Sequence, residues 1–159
     1  MSTAIIGHLR STFVMPESFA FCWPIKQEPD VRPLVADWQR AGARAALPVV
    51  VTSDAPLRFR TWEAGSKLHE DRYGIPTPIS GDWLLPDLIL LPVNGFDAAG
   101  YRLGYGGGYF DRTLATLNPR PLTVGLGFEI NRVDSIRPEA HDQRLDWIVT
   151  EAGVFRPAD

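Results

Sequence analysis

Four glycines, Gly104, Gly106, Gly107 and Gly108, crowd the run Gly100-Tyr-Arg-Leu-Gly-Tyr-Gly-Gly-Gly-Tyr-Phe-Asp-Arg112. A Cβ in such a loop occupies space and restricts φ. Glycine removes both limits, so successive backbone N–H groups can converge on phosphate oxygens. A helix opening after the run adds unpaired N–H groups and a partial positive charge. Arg102 and Arg112 bracket the glycines and suit phosphate charge. Asp111 places an acid beside them, which a metal ion riding on phosphates would use. The run is not G-x-x-x-x-G-K-[ST]. Nor does it have the strand-to-helix context of a dinucleotide-binding G-x-G-x-x-G, because a turn and a further stretch separate Val93 from Gly104. The residues therefore read as a phosphate-binding loop for a nucleotide; the competing reading is a flexible turn whose glycines permit a sharp reversal.

The elements that must position this loop follow from hydrophobic spacing. Ile5, Ile6, Leu9 and Phe13 recur at helical intervals over 3–13, and Phe19 to Ile25 is a short apolar run that fits a buried strand. Asp30 is placed to cap a helix from Val31 onward, with Pro33 in its first turn, Val31, Leu34, Val35 and Trp38 on one face, and Gly42 at its end. Leu47 to Val51 reads as a central parallel strand buried on both faces. Leu57 to Trp62 alternates and reads as a half-exposed strand of a hairpin or side sheet. Glu63 to Trp83 is rich in Gly, Pro and charge, and a connection of that length in a compact domain is more often functional than idle. Asp87 to Val93 is the clearest strand, ended by the turn signal Asn94-Gly95. Tyr109 to Leu117 reads as a helix with Phe110, Leu114 and Leu117 toward the core, and Leu122 to Leu126 and Leu145 to Thr150 as further strands. Strands alternating with helices predict one α/β domain over 1–159, in three layers around a mainly parallel sheet with a small antiparallel hairpin.

Bulk properties narrow the function classes. The formal net charge of −3 argues against a general nucleic-acid binder. Lys26 and Lys67 are the only lysines, so arginine supplies nearly all the positive charge. Cys22 is the only cysteine, which leaves no internal disulfide and a reducing compartment as the default; its apolar surroundings favour a core residue over a reactive thiol. No apolar stretch is long enough to span a bilayer, and Met1 to Arg10 lacks the features of a signal peptide. The expectation is a cytoplasmic protein with no membrane and no nucleic-acid partner.

The wording of the glycine-rich run is more specific than its composition. Phe96-Asp97 followed by Gly100 to Arg112 resembles the signature of the 5-formyltetrahydrofolate cyclo-ligases, also called methenyltetrahydrofolate synthetases. Ala46-Leu-Pro-Val49, Gly74-Ile-Pro-Thr-Pro78, Pro86-Asp-Leu-Ile-Leu-Leu-Pro92, Glu139-Ala-His-Asp142 and Leu145-Asp-Trp-Ile-Val-Thr-Glu151 resemble further blocks of that family in the same order. The resemblance spans about Phe19 to Gly153 and implies a Rossmann-like α/β core. It also implies a reaction: ATP and Mg²⁺ drive closure of 5-formyltetrahydrofolate to 5,10-methenyltetrahydrofolate, with release of ADP and phosphate. A formamide oxygen is a poor leaving group, and phosphorylating it gives an iminium phosphate that N10 of the folate can attack. The protein's part is then mostly positioning and charge stabilisation.

The same resemblance implies site residues. Arg102, Leu103, Gly104, Tyr105, Gly106, Gly107, Gly108 and Tyr109 would contact ATP, with Arg102 and Tyr109 acting at the reacting group. Tyr105, Gly106, Gly107, Gly108 and Tyr109 would also face the reduced folate, together with Glu28. Asp111 and Asp142 match a pair of Mg²⁺ ligands. Plainer readings stand beside these. Asp111 suits the first turn of any helix, Asp142 suits a turn, and Asp146 competes with it for the metal. His141 is either a base or an ordering residue. Glu28 is either a folate ligand or a solvated loop charge. Tyr105, Tyr109 and Phe110 either stack on a ring or pack beneath the loop, and Tyr73, Trp62 and Trp83 either wall a pocket or pack in the core. Gly107 stands where some members carry lysine and Phe110 where tyrosine is common. Members usually carry an additional N-terminal helical segment whose basic side chains reach the phosphates, and the expectation is that nothing upstream of Met1 supplies them here. A working cyclo-ligase whose other arginines supply that charge is the first expectation, and a catalytically impaired folate- or nucleotide-binding homologue the alternative.

Overall fold

A computed structural model describes residues 1–103 and 108–157. Helix α1 (Ser2–Thr12) buries Ile5, Ile6 and Leu9, the face that their spacing predicts. Strand β1 (Ser18–Phe21) is buried throughout. Helix α2 (Arg32–Arg40) buries Leu34, Val35 and Trp38 and carries Pro33 in its first turn. It begins one residue later than Asp30 capping would require. Val31 is the cap residue, while Asp30 accepts the Arg32 N–H at 3.0 Å and pairs with the Arg32 side chain. Burial of Val31 at 3% exposure explains the shift: that side chain is fixed by the core, and the acid stays outside.

Strand β2 (Arg44–Val49) starts earlier than the expected 47–51 and is not central. It pairs in parallel with β1 on one side and antiparallel with β3 (Arg58–Thr61) on the other. Ala45, Ala46 and Leu47 are its buried positions, whereas Pro48 and Val49 are only half-buried. β3 is the half-exposed edge strand that its alternation predicts. The long middle segment is not structureless: β4 (Leu68–Glu70) and β5 (Pro76–Pro78) form an antiparallel hairpin. Period-2 alternation is too short there to register, and two prolines disguise β5.

Strand β6 (Leu88–Pro92) carries Leu88, Ile89, Leu90 and Leu91, each within 3% exposure, the unbroken apolar run of a strand covered on both faces. Asn94-Gly95 does not simply end it in a turn. Gly95 enters a short strand, β7 (Gly95–Phe96), which pairs antiparallel with β8 (Arg102–Leu103). Helix α3 (Tyr109–Thr116), strand β9 (Leu122–Leu126) and strand β10 (Trp147–Thr150) follow, and β11 (Gly153–Phe155), not expected from the sequence, returns antiparallel to β10.

The main sheet runs β11-β10-β9-β6-β1-β2-β3, with its five inner strands parallel and both edges antiparallel. Alternate residues of each strand feed two cores. Leu88 and Leu90 pack with Phe19, Phe21, α1 and α2, whereas Ile89 and Leu91 pack with Ala20, Ile148 and Leu114 of α3. This is the α/β architecture expected from the sequence. β1 leads through α2 to β2 on one side, and β6 leads through α3 to β9 on the other. The order in which strands are added therefore reverses between the parallel neighbours β1 and β6, and their carboxyl ends are where open α/β sheets take their ligands.

Candidate functional site

Both segments that leave this switch point carry chemistry. After β1 comes Cys22 to Glu28. Its turn is closed by the Glu28 N–H donating to the Ile25 carbonyl at 3.1 Å and by the Ile25 N–H donating to Glu28 Oε1 at 3.1 Å. Lys26 within it takes a positive φ of 53°. After β6 the chain turns through Asp97 to Tyr101, and Gly100, at φ 90°, allows that reversal; a Cβ there would meet Pro157 at 2.7 Å and the Leu145 carbonyl at 3.0 Å. β8 then carries Arg102.

Arg102 is the most informative side chain of the site. Its side chain is 8% exposed, yet its Nε and Nη2 have no hydrogen-bond acceptor among the described residues. The nearest carboxylate is Asp111, with Nη2 to Oδ1 at 3.7 Å, and the guanidinium lies 5.6 Å from the centre of the Phe110 ring. Burial pushes the Arg102 pKa down; Asp111, Cys22 and Asp142 push the other way. A buried guanidinium with unused donors is costly unless an anion completes it. On the other side, burial pushes the Cys22 thiol up to about 12, reinforced by Glu28 and opposed by Arg102. Cys22, Asp111 and Asp142 are thus within electrostatic reach of the Arg102 guanidinium, and Glu28 is within reach of Cys22.

Gly108, at φ 67°, opens α3 in the left-handed conformation, and an added Cβ would lie 3.0 Å from Arg112 Nη1. Asp111 occupies the first turn and accepts the Gln143 N–H at 3.0 Å, which ties α3 to the segment bearing Asp142. Asp142 Oδ2 accepts the Glu139 N–H at 2.8 Å, so it is also the turn residue of the plainer reading. His141 is 68% exposed and lies 3.6 Å from Glu139 and 3.5 Å from Asp142, the position of a residue that orders this turn. Asp146 is elsewhere. Its Oδ2 accepts the Thr123 N–H at 2.8 Å and the Thr123 hydroxyl at 3.0 Å, and it pairs with Arg120 at the opposite end of β9. Among the described residues no three His, Cys, Asp or Glu side chains form a metal cage. The two acids Asp111 and Asp142 fit a Mg²⁺ that keeps most of its coordination for water and phosphate oxygens.

The aromatic residues separate. Trp62 packs edge-on against Phe21 at 5.5 Å and Trp23 at 5.7 Å, in the core. Trp83 is covered by Arg58 and Arg60 at 4.0 and 4.4 Å, along the β3 edge. Tyr73 belongs to the site: its hydroxyl lies 2.7 Å from that of Tyr109, and the rings meet edge-on at 5.9 Å. The β4–β5 hairpin therefore reaches the first residue of α3. Arg112 stacks over the Tyr109 ring at 4.9 Å. Phe110 packs against the core on the α3 side. Leu103 is half exposed beside the loop. Gly104, Tyr105, Gly106 and Gly107 lie outside the described residues.

Residue reasoning missed Cys22 as a neighbour of Arg102 and missed Asp97, whose carboxylate is buried under the turn. The signal for Asp97 was present: an acid followed by Gly100 is the composition of a turn built on a side-chain acceptor.

Comparison with known proteins places this geometry in a family. The chain is 32% identical over 149 residues to the 5-formyltetrahydrofolate cyclo-ligase of Escherichia coli K12, covering 89% of this chain and 82% of that protein. It is 28% identical over 137 residues to the protein of the same name from Mycolicibacterium smegmatis, covering 80% and 70%. In structure it is similar to the 5,10-methenyltetrahydrofolate synthetase of Aquifex aeolicus, with a TM-score of 0.84, 30% identity, and coverage of 99% of this chain and 81% of that one. The fold also matches a Mycoplasma pneumoniae synthetase, with a TM-score of 0.75 at 24% identity, covering 94% and 84%. The model of the 5-formyltetrahydrofolate cyclo-ligase family matches residues 2–151, and the chain belongs to that family.

Proposed function

We propose that this chain cyclises 5-formyltetrahydrofolate to 5,10-methenyltetrahydrofolate at the expense of ATP, with Mg²⁺, releasing ADP and phosphate. The observation that carries the reading is the buried Arg102 guanidinium, whose Nε and Nη2 lack acceptors among the described residues, at the carboxyl ends of β1 and β6 beside Asp111. A phosphoryl group entering there finds charge-assisted donors already desolvated, so little reorganisation accompanies the reaction.

Arg102 would hold the transferring phosphoryl oxygens, and Tyr109 would present its hydroxyl at the start of α3. The α3 N-terminus, opened by Gly108 in the left-handed conformation, would add first-turn N–H groups for phosphate. Leu103, Gly104, Tyr105, Gly106 and Gly107 complete the ATP contacts in this reading, and Tyr105 to Tyr109 also face the folate. Asp111 and Asp142 would hold Mg²⁺, which offsets phosphate charge when bound. Glu28, fixed by its own turn, would orient the folate on the β1 side. Activation of the formyl oxygen on the Arg102 side and attack by N10 then require only that both substrates meet across the β1–β6 crevice.

The test is direct. Purified protein is mixed with 5-formyltetrahydrofolate and MgATP, and the absorbance of the methenyl product is followed, with ATP and Mg²⁺ each omitted in turn. Formation that depends on both supports the assignment. A rate no higher than the ATP-free control, with folate binding retained, leaves a binding homologue in its place.

A further inference from the structure

We propose that Asp97 is a positioning residue that holds Asp142 against Asp111 and Arg102; the proposal deepens the magnesium assignment above and rests on it. Asp97 is 4% exposed and its carboxylate serves two separate segments. Oδ1 accepts the N–H groups of Ala99 and Tyr101, both at 3.1 Å, which shapes the turn that delivers Arg102. Oδ2 accepts the N–H of Ile136 at 2.9 Å, from the segment that leads to Asp142.

That second segment needs holding. Between Arg132 and Leu145 it contains no helix or strand, and Asp134, Ser135 and Arg137 to His141 are exposed, so apolar burial contributes little to its placement. Backbone hydrogen bonds stitch it instead: Val133 N–H to the Phe96 carbonyl at 2.9 Å, Gln143 N–H to Asp111 at 3.0 Å, and Leu145 N–H to the Gly100 carbonyl at 2.9 Å. Among these, the bonds to Asp97 and Asp111 have an ionised acceptor, and such bonds are roughly twice as strong as neutral ones. One buried carboxylate thus sets the register between the arginine segment and the second acid. Partners that orient metal ligands typically change metal affinity about 10–100-fold when lost.

The substitution Asp97→Asn separates the two attachments. An amide keeps one oxygen for the paired N–H groups of Ala99 and Tyr101 and turns an NH₂ toward the Ile136 N–H, which breaks only the link to the Asp142 segment. Calorimetric titration with ADP, with and without Mg²⁺, reads the consequence. The expected result is metal-free ADP affinity within about twofold of the unsubstituted protein and a loss of about tenfold or more in the enhancement by Mg²⁺. An unchanged enhancement overturns the proposal, as does an equal loss of metal-free binding. If Asp97→Asn does not fold, Ile136→Pro removes the donor instead and is held to the same criterion. Hydrogen exchange on the unsubstituted protein needs neither variant: the Ile136 amide must exchange at least about tenfold more slowly than that of Asp134, and equal rates overturn the proposal. Should the unsubstituted protein bind no MgADP at all, the magnesium assignment fails, whereas protection of the Ile136 amide still reports on the strap.

Discussion

Asp111 and Gln143 are joined by a 3.0 Å hydrogen bond, the side chain of one accepting the backbone N–H of the other across 32 positions of sequence. The contact makes the first turn of α3 a platform for the residue next to Asp142. It also leaves Asp111 with two candidate duties, holding the loop and binding metal.

The substitution Asp111→Asn tells these apart. Its amide oxygen still accepts the Gln143 N–H, but the charge is gone. Turnover is expected to fall on the order of 10²–10³-fold, the several kcal/mol that a metal contributes to phosphoryl charge stabilisation, with the melting temperature within a few degrees of the parent. Asp111→Ala should lose activity and also loosen the 139–143 turn. Turnover near that of the parent in Asp111→Asn would show that the acid serves the loop alone.

Arg102 poses the opposite balance between stability and function. Its guanidinium is buried with unused donors, so replacement by an apolar side chain of similar length relieves desolvation. Removing one member of a buried ion pair strands the other charge, but Asp111 lies 3.7 Å from Arg102 and keeps the Gln143 N–H as a donor, so the two effects oppose each other. Arg102→Met is therefore expected to melt within a few degrees of the parent without ligand, while kcat/KM for ATP falls by on the order of 10²-fold or more. A marked drop in melting temperature would assign Arg102 to the fold instead. Thermal melting with and without ADP measures both halves of the expectation.

The sequence made the sheet legible where burial was continuous. β6 is an unbroken apolar run and β9 is buried from Thr123 to Leu126, and their spacing marks the strands and the helix between them. β2 is not central although Leu47 to Val51 look like a core strand, because the buried positions are Ala45, Ala46 and Leu47 and the chain beyond them is only half-buried or exposed. β5 was hidden because Pro76 and Pro78 flank its buried Thr77. The site was legible through motif residues, Arg102 and Asp111 above all, because their types state a charge requirement. Cys22 and Asp97 were not, because their roles come from neighbours distant in sequence. Only the fold brings Glu28 and Arg102 to one thiol and Ile136 to one carboxylate. Asp142 and Asp146 also separate only in three dimensions, since Asp142 adjoins the residue bonded to Asp111 whereas Asp146 is bonded to Thr123.

The Tyr73–Tyr109 pair gives an optical prediction. Their hydroxyls share a 2.7 Å hydrogen bond, which raises the Tyr73 pKa above its ordinary value, and the Tyr109 hydroxyl is the first cause of that rise. In a Tyr109→Phe variant that partner is gone, so the Tyr73 phenol should titrate closer to the usual value near 10. Ultraviolet titration of phenolate absorbance measures the change. Tyr73→Phe, which cuts the same bond from the hairpin side, should leave the melting temperature nearly unchanged, since the pair is solvent-exposed. It should also speed exchange of the Gly74 amide, because the hairpin tip loses its tie to α3. A Tyr73 titration unmoved by Tyr109→Phe would mean that the two hydroxyls are not paired in solution.

Cys22 carries a pH dependence whose sign follows from its burial. The folded thiol titrates at about 12 against 9.0 for an ordinary cysteine, so between those values the native chain keeps a proton that the unfolded chain has released. The native state then binds more protons than the unfolded state, and stability falls as pH rises. The contribution is fully present below about pH 9. Above it the loss approaches about 1.4 kcal/mol per pH unit, until the folded thiol itself ionises. Cys22→Ala lacks this term, although it also loses a constant amount from the missing side-chain contacts. Urea denaturation of both proteins at pH 8, 9 and 10 isolates the effect, because the constant part cancels in the difference. The gap between them should narrow as pH rises from 9 to 10. A gap independent of pH, or alkylation of Cys22 in the native protein at the rate of an exposed thiol, would show that Arg102 rather than desolvation governs the group.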